Sequence, residues 1–467
     1  MAPLNPEPTA DQHRALARLL AEWLPGQRWF AGKGRRIDTV TLCEAFTLPG
    51  PVALVTLVVG VLLDDGVWHT YQVPVSMYAG RHPDLPVIGQ LPDRTWAHDA
   101  LRDPAAVPAL LAWSGTPAEV DPAATHGLDR AAGTHPAPQL QALSDPADYR
   151  SLPAKPLGVE QSNTSVVLGD SALVKFFRVL TPGVNPDVEV HAALGVAQCP
   201  YVGRCLGWVN AGWREPADGR WVTGHSAMVQ QLLSPAVEGW QLAAQRLSAG
   251  QSFADEALTL GHATAEVHSD LRRVLPTHVL SPAEVSALVD RLHWRLDRAV
   301  AVVEQIEPLA AALHRRIDAV LSVGHPLQAQ RIHGDLHLQQ VMRAGDGWKL
   351  LDFEGEPGSP IDQRTAADCP LRDVAGMLRS FAYVAAQAGA GLDPQVADGW
   401  RRDCERAFLA GYAGATRAGA SRDAQSPEES LLSAYLVDKA AYEAMYERRN
   451  RPDWLPIPLA ALRGLAA

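Results

Sequence analysis

The sequence has no apolar run long enough to cross a bilayer. Its most hydrophobic stretch, Pro51 to Leu63, is short and valine-rich, which argues for a buried strand. The N-terminus shows no basic segment followed by an apolar one, so no secretory leader is read there. Cysteine is scarce: Cys43, Cys199, Cys205, Cys369 and Cys404 form no C-x-x-C pair and make an odd count. Reduced thiols in a soluble, cytoplasmic protein are the simplest reading, and a zinc site is argued against. Positive charge is in deficit too, with 41 Lys and Arg against 52 Asp and Glu, a net charge of −11. That balance speaks against nonspecific nucleic-acid binding and requires any nucleotide site to concentrate its cations locally. No Walker loop or dinucleotide fingerprint is present. The nearest candidate, G-K-G-R-R at 32–36, lacks the spacing and the terminal Gly-Lys-Ser/Thr, so neighbouring Trp29 and Phe30 are read as loop anchors.

The chain does have ample material for more than one core: 467 residues, 47% of them hydrophobic. Leu16, Leu19, Leu20 and Trp23 fall on one helical stripe. Strand patterns follow at Thr39–Phe46, Pro51–Leu63 and Trp68–Met77. This opening, residues 1–90, reads as an α+β cap. Residues 91–232 read as an intermediate and nucleotide-binding lobe, with mixed helix over Leu91–Leu111 and a linker near 117–146 rich in Pro, Ala, Gly and Asp. Within it, strands are expected at Gly158–Gln161, Ser165–Leu168, Ala172–Phe177, Val202–Asn210 and His225–Gln231, with a helix over Pro186–Leu194. Residues 233–467 read as a mainly helical lobe interrupted by a loop-and-strand region at Gln330–Pro357. The class is therefore α+β, with a β-rich half followed by a helical half.

The chemistry concentrates between His333 and Phe353: H-G-D-L-H-L-Q-Q, then an apolar strand ending in D-F-E. Phosphoryl transfer needs a carboxylate beside the attacking hydroxyl and hard oxygen ligands for a metal on the triphosphate. Asp335 suits the first role, and Gln340 and Asp352 suit Mg²⁺. Upstream, Ser162, Asn163, Thr164 and Ser165 form a polar turn able to offer hydroxyls and amides to phosphate. Lys175 sits mid-strand among apolar neighbours and needs a counter-charge, for which Glu189 on the next helix is the natural partner. Gln230, Gln231 and Leu232, within the Met228–Leu232 stretch, would form a hinge contacting adenine through its backbone. For an acceptor, Asp438 with Tyr442 and Lys439 with Glu443 share helix faces four residues apart, and His337 lies in the catalytic loop. The plain alternative for Lys439 and Glu443 is a surface ion pair. Asp373 and Arg372 read as structural, His333 as a loop brace, and Glu354 and Glu356 as solvated loop carboxylates.

Asp335, Gln340, Asp352, Lys175 and Glu189 together resemble the aminoglycoside-phosphotransferase-like branch of the kinase superfamily. Within it, the chain is similar to bacterial maltokinases through G-Q-R-W-F-A-G-K-G-R (26–35), E-Q-S-N-T-S-V-V-L-G-D (160–170) and T-P-G-V-N-P-D (181–187). H-G-D-L-H-L (333–338), D-F-E-G-E-P (352–357), P-L-R-D-V-A-G-M-L-R-S-F (370–381) and R-P-D-W-L-P-I-P-L (451–459) extend the likeness over almost the whole chain. Gln339 departs from it, standing where the family has glycine. The resemblance implies a bilobal fold with an N-terminal cap. It also implies transfer of the ATP γ-phosphate to the anomeric hydroxyl of maltose, giving maltose 1-phosphate for α-glucan synthesis. Some relatives associate with trehalose synthase. The rival readings are a kinase for another sugar, such as glucosamine or an aminoglycoside, and a silent kinase-shaped regulatory partner, against which the intact Lys175, Asp335 and Asp352 argue.

Overall fold

The computed structural model describes residues 9–48, 52–113, 118–119, 139–143, 152–158, 162–322, 326–356, 360–416 and 427–467. Most of the 117–146 linker thus lies outside the described residues, as do 159–161 of the strand expected at Gly158–Gln161. The chain forms two compact units: Met1–Ala192 with Gly203–Ser234, and Ala193–Val202 with Pro235–Ala467. The α+β class holds.

The first unit opens with helix α1 (Ala10–Trp23), started by a capping box in which Thr9 and Gln12 satisfy each other's amides. Its stripe Leu16, Leu20 and Leu24 is fully buried against a sheet of β1 (Ile37–Leu48), β2 (Ala53–Leu63), β3 (Trp68–Tyr78), β4 (Val87–Gln90) and β5 (Trp96–Asp99). The sheet order is β1-β2-β3-β5-β4. Within the apolar run, Ala53–Leu63 is a strand between two neighbours, buried on both faces, which is why it reads as continuous hydrophobicity. Trp29 and Phe30 do anchor their loop, packing on Tyr71 with ring centroids 5.9 and 5.5 Å away. The helix expected at Leu91–Leu111 is largely strand and turn. Trp96–Asp99 joins the sheet by long-range pairing, which outweighs local propensity, and only α2 (Val107–Trp113) is helical beyond one turn.

A second sheet is built from β6 (Gln139–Ala142), β7 (Ala154–Pro156), β8 (Asn163–Leu168), β9 (Ala172–Phe177), β11 (Cys205–Arg214) and β12 (Trp221–Gln231), edged by the short parallel strand Ala118–Glu119, and β10 (Val179–Leu180) follows β9 in the chain. These strands run in the order β6-β11-β12-β9-β8-β7, while β10 pairs with β3 of the first sheet. The strand that carries Lys175 therefore runs almost directly into the cap. Arg178, at that crossing, is fully buried: its guanidinium meets Asp99 at 2.5 Å and Thr164 Oγ1 at 2.8 Å, and lies 4.6 Å from the Trp29 ring. Helix α3 (Pro186–Val196) follows, capped by the Asn185 side chain.

The second unit holds a small sheet of β13 (Ala236–Glu238), β14 (Val341–Ala344) and β15 (Gly347–Leu350), and the helices α4 (Gly239–Ser248), α5 (Ala254–Val274), α6 (Pro282–Val302), α7 (Ala310–Asp318), α8 (Leu371–Ala388), α9 (Pro394–Thr416), α10 (Pro427–Asn450) and α11 (Pro456–Ala466). The run of helices from Gly239 to Ser322 is broken near 278, where His278–Val279 pairs with Gln328–Ala329. The main core gathers apolar faces of α6, α7, α10 and α11. Helices α5 and α9 approach so closely that a Cβ at Gly261 would overlap the Phe408 carbonyl oxygen, and one at Gly411 that of Leu258. No helix among the described residues is long and apolar enough to cross a membrane.

Alanine at Gly411 gains about 1 kcal/mol of helix propensity, but its methyl meets backbone that cannot rotate away. Gly411→Ala is expected to lower stability by about 1–3 kcal/mol net, read as a lower melting temperature, whereas Gly414→Ala, with open space around it, should not.

Candidate active site

The segment Arg331–Gln340 is held from below by α8. The buried Asp373 carboxylate accepts the amides of His333 and Gly334, both at 2.8 Å, and contacts His268 Nε2 at 3.0 Å. Burial pushes this carboxyl up, yet those hydrogen bonds and the His268 and His333 rings hold it below the usual range. Gly334 takes φ +84° beside Gly355, a turn that glycine alone makes cheaply. Ser380 Oγ accepts the Leu338 amide at 2.9 Å. His333 is a brace: Nε2 donates to Leu351 O at 2.7 Å while Nδ1 accepts the Asp335 amide at 3.3 Å. With its backbone so fixed, Asp335 presents its carboxylate to open space.

That space is a cavity of about 520 Å³ lying wholly within the second unit. Asp335, His337 and Gln339 line it from the loop. Lys439, Tyr442, Glu443, Tyr446 and Glu447 line it from α10 at helical spacings of three and four, so they form one face. Arg379 of α8 grips Glu443 at 2.7 Å, and the Tyr383 hydroxyl donates to Glu447 at 3.1 Å. Arg451 also binds Glu447, at 2.7 Å, and its guanidinium lies 4.2 Å from the Trp454 ring and 5.2 Å from that of Tyr446. The loop carboxylate Glu356 is buried, not solvated as expected, because three cations converge on it: Arg295 at 3.0 Å, Arg372 at 3.3 Å and Lys439 at 3.5 Å. Burial alone would raise its carboxyl; those cations more than offset that and hold it down to about 2. His337 is shifted downward, mainly by burial and against the pull of Asp335, so it is neutral at pH 7.

Four of the five acceptor residues expected from sequence, His337, Lys439, Tyr442 and Glu443, meet in this cavity with Asp335. Asp438 does not. It turns into the protein, 1% exposed, against Arg295 Nε at 3.0 Å, a charge contact rather than an aligned hydrogen bond. Lys439 and Glu443 are not paired with each other as a surface pair would be: each has a partner on another element. Sequence reasoning missed Trp240, Arg379, Tyr383, Glu447, Arg451 and Trp454 as lining residues. Continuing the α10 spacing from 439 and 443 to 447 would have found Glu447. The same step reaches Arg451, just past the end of α10, and the remaining residues reach the cavity only through the fold.

For the metal, Leu351 N donates to Gln340 O at 2.9 Å, tying the glutamine's segment to the residue before Asp352. Asp352 follows β15 with φ +66°, a strained value for aspartate, and is half-buried. An amide oxygen and a carboxylate are a donor set that suits Mg²⁺.

In the first unit, Lys175 is 7% exposed and meets Asp187 Oδ2 at 2.8 Å. The carboxylate seen to meet it is Asp187, two residues before the expected Glu189. Two residues further along α3, Glu189 is displaced by about 200° around the helix axis. His191, one turn on from Asp187, also contacts it, at 3.1 Å. Burial works to raise the Asp187 carboxyl, but Lys175 and His191 hold it far below the ordinary range. Ser165 lies directly across from Lys175 in the β8–β9 register and shares its face. Thr164 takes the opposite face, fully buried, and its hydroxyl accepts from Arg178, which removes it from the phosphate-facing set. Ser162 is exposed and Asn163 half-buried, joined by a 3.1 Å hydrogen bond. At the expected hinge, the amides of Gln231 and Leu232 already donate to Arg204 O and Ser171 O, at 2.9 and 3.0 Å. Neither N–H is available to adenine, and Gln230 lies inside the strand pairing.

The described cap coincides with a known module: residues 23–103 match the family model of the maltokinase N-terminal cap domain. The glucosamine kinase of Streptacidiphilus jiangxiensis is 30% identical over 330 residues, which is 66% of this chain and 72% of that protein. The glucosamine kinase of Mycolicibacterium smegmatis (strain ATCC 700084 / mc(2)155) is 28% identical over 334 residues, 67% of this chain and 79% of that one. Among solved structures, a glucosamine kinase in complex with glucosamine, ADP and inorganic phosphate superposes with a TM-score of 0.65 at 22% identity, covering 96% of this chain and 98% of that one. Another crystal form of glucosamine kinase gives 0.68 at 23%, covering 98% and 99%. At these identities the superpositions establish a shared fold.

A carboxylate depressed by burial among cations stabilises the fold above the unfolded-chain value of about 4.3 and loses that contribution as pH falls through its folded value. For Glu356 that window runs down to about 2. Glu356→Gln is expected to cost roughly 3 kcal/mol at pH 7, with the stability gap to the wild type closing as denaturation is repeated from about pH 4.5 downward.

Proposed function

This chain belongs to the family of sugar kinases that includes the glucosamine kinases and shares the maltokinase-type cap, and we propose that it transfers the γ-phosphate of ATP to the anomeric hydroxyl of maltose. The observation that carries the acceptor is the shape and charge of the cavity. Its lining runs along α10 from Lys439 to Glu447, about 12 Å at 1.5 Å per residue, which is long for one sugar ring and suits two. Glu356, Glu443 and Glu447 each touch an arginine, so little uncompensated negative charge is left for an ammonium group. Tyr442, Tyr446 and Trp454 supply apolar faces suited to sugar rings.

Asp335 orients the acceptor hydroxyl and takes its proton as the new O–P bond forms. Lys175, aimed by Asp187, holds ATP phosphates together with Ser162, Asn163 and Ser165. Gln340 and Asp352 would hold magnesium, which when bound supplies charge neutralisation on the triphosphate. His337, neutral, offers a hydrogen bond to the sugar.

A second reading, glucosamine as acceptor, is favoured by the names of the two relatives. ADP release from Mg²⁺·ATP with maltose, glucose, glucosamine and trehalose as separate acceptors, with phosphorus NMR of any product, decides between them. Turnover on maltose with an anomeric phosphate is the expected result. Turnover on glucosamine alone overturns the acceptor while keeping the reaction class. Asp335→Asn should reduce kcat by about 100-fold or more with nucleotide affinity kept, and substantial activity in that variant removes Asp335 from the role of base.

A further inference from the structure

We propose that Lys439 is a catalytic residue whose ammonium, delivered to the loop from α10, binds the oxygens of the phosphoryl group in transit to the hydroxyl held by Asp335. This rests on the kinase reading above. The ammonium stands 3.6 Å from Asp335 Oδ1 and 3.5 Å from Glu356 Oε1. Charge-assisted N–H···O bonds close to about 2.7–2.9 Å, as Lys175 does with Asp187 at 2.8 Å. Lys439 thus has two counter-charges, with only a long 3.5 Å hydrogen bond to Glu356 and an ion-pair contact to Asp335. It is only 6% exposed, so water does little to quench its charge, yet it lines the cavity.

The neighbours keep it there. Glu356 is pulled the other way by Arg295 and Arg372 on Oε2, and Arg295 is itself held by Asp438. On α8, Gly376 lets the Leu336 carbonyl and the Lys439 chain pass over bare backbone; a Cβ there would crowd Leu336 O at 2.6 Å and touch Lys439 Cε at 3.9 Å. A hydroxyl bonded to Asp335 lies within reach of the same ammonium. During transfer the acceptor O–P bond forms and the bond from the γ-phosphorus to the β,γ-bridging oxygen breaks. The hydroxyl proton passes to Asp335, and ADP leaves with the bridging electrons. A preorganised cation in a site sheltered from water acts on the charge that gathers on the phosphoryl oxygens in that interval, and a charge so placed acts chiefly on kcat.

The test compares wild type, Lys439→Met and Lys439→Arg in ADP release with maltose. It also measures affinity for Mg²⁺·ADP alone and for Mg²⁺·ADP with aluminium fluoride and sugar, a mimic of the phosphoryl in flight. Expected are a fall in kcat of about 100-fold or more in Lys439→Met, a change in sugar KM of under about fivefold, and partial recovery in Lys439→Arg. Mg²⁺·ADP affinity should be unchanged, while the tightening by aluminium fluoride disappears in Lys439→Met. A loss confined to KM makes Lys439 a ground-state sugar ligand and overturns the proposal, as does aluminium fluoride tightening that survives in the methionine variant. If Lys439→Met melts early, Lys439→Arg decides: a folded arginine variant with neither turnover nor tightening also overturns it. Failure of the function reading is seen separately, before any variant is made, as absence of wild-type turnover; a wild type that prefers glucosamine moves the same comparison to that sugar.

Discussion

Glu356 is a buried carboxylate, and a buried charge must be paired or the fold pays several kcal/mol for it. Its three partners arrive from three helices: Arg295 from α6, Arg372 from α8 and Lys439 from α10. Each has a second obligation. Arg295 also meets Asp438, and Arg372 meets Asp368, which in turn accepts the Tyr435 hydroxyl at 2.5 Å and Arg291 at 3.0 Å. The apolar cluster brings these helices together non-specifically, whereas the ionic network demands one register for each. The cavity wall inherits that register, since Lys439 is part of both.

Asp373 does for the loop what Glu356 does for the helices. By accepting two successive backbone amides it converts a glycine turn into a rigid platform, and His268 and Tyr412 fix the carboxylate from behind. Positioning of this kind is where phosphoryl-transfer catalysts gain most of their rate. Arg178 plays the comparable part in the other unit, joining the cap's Asp99 to Thr164 beside the Lys175 strand. Asp373 holds backbone amides, whereas Arg178 ties two side chains from separate strands.

The expectations that hold are the local ones. The amphipathic helix at the start, the valine-rich buried strand, the α+β class, the bracing role of His333 and the structural role of Asp373 follow from spacing and residue type. The ones that change depend on which way a side chain points. Thr164 was expected at phosphate, but strand alternation turns it to the core. Asp438 was grouped with Tyr442 on one helix face, yet Arg295 draws it inward. At the expected adenine hinge, the amides of Gln231 and Leu232 are spent on Arg204 and Ser171, so only backbone carbonyls remain for a nucleotide at these two residues.

The sequence by itself carries the residues on which the proposed chemistry rests. Asp335, Gln340 and Asp352 lie within one short loop-and-strand segment, so their spacing alone states what they can do together. Only the tertiary structure decided the counter-charges and the walls of the cavity. Asp187 meets Lys175 through a contact that the linear sequence, with two acidic residues in the first turn of α3, does not single out. Arg379 and Tyr383 reach the space lined by Glu443 and Glu447 because α8 and α10 pack side by side, and the long-range contacts that join them leave no periodic mark in the chain.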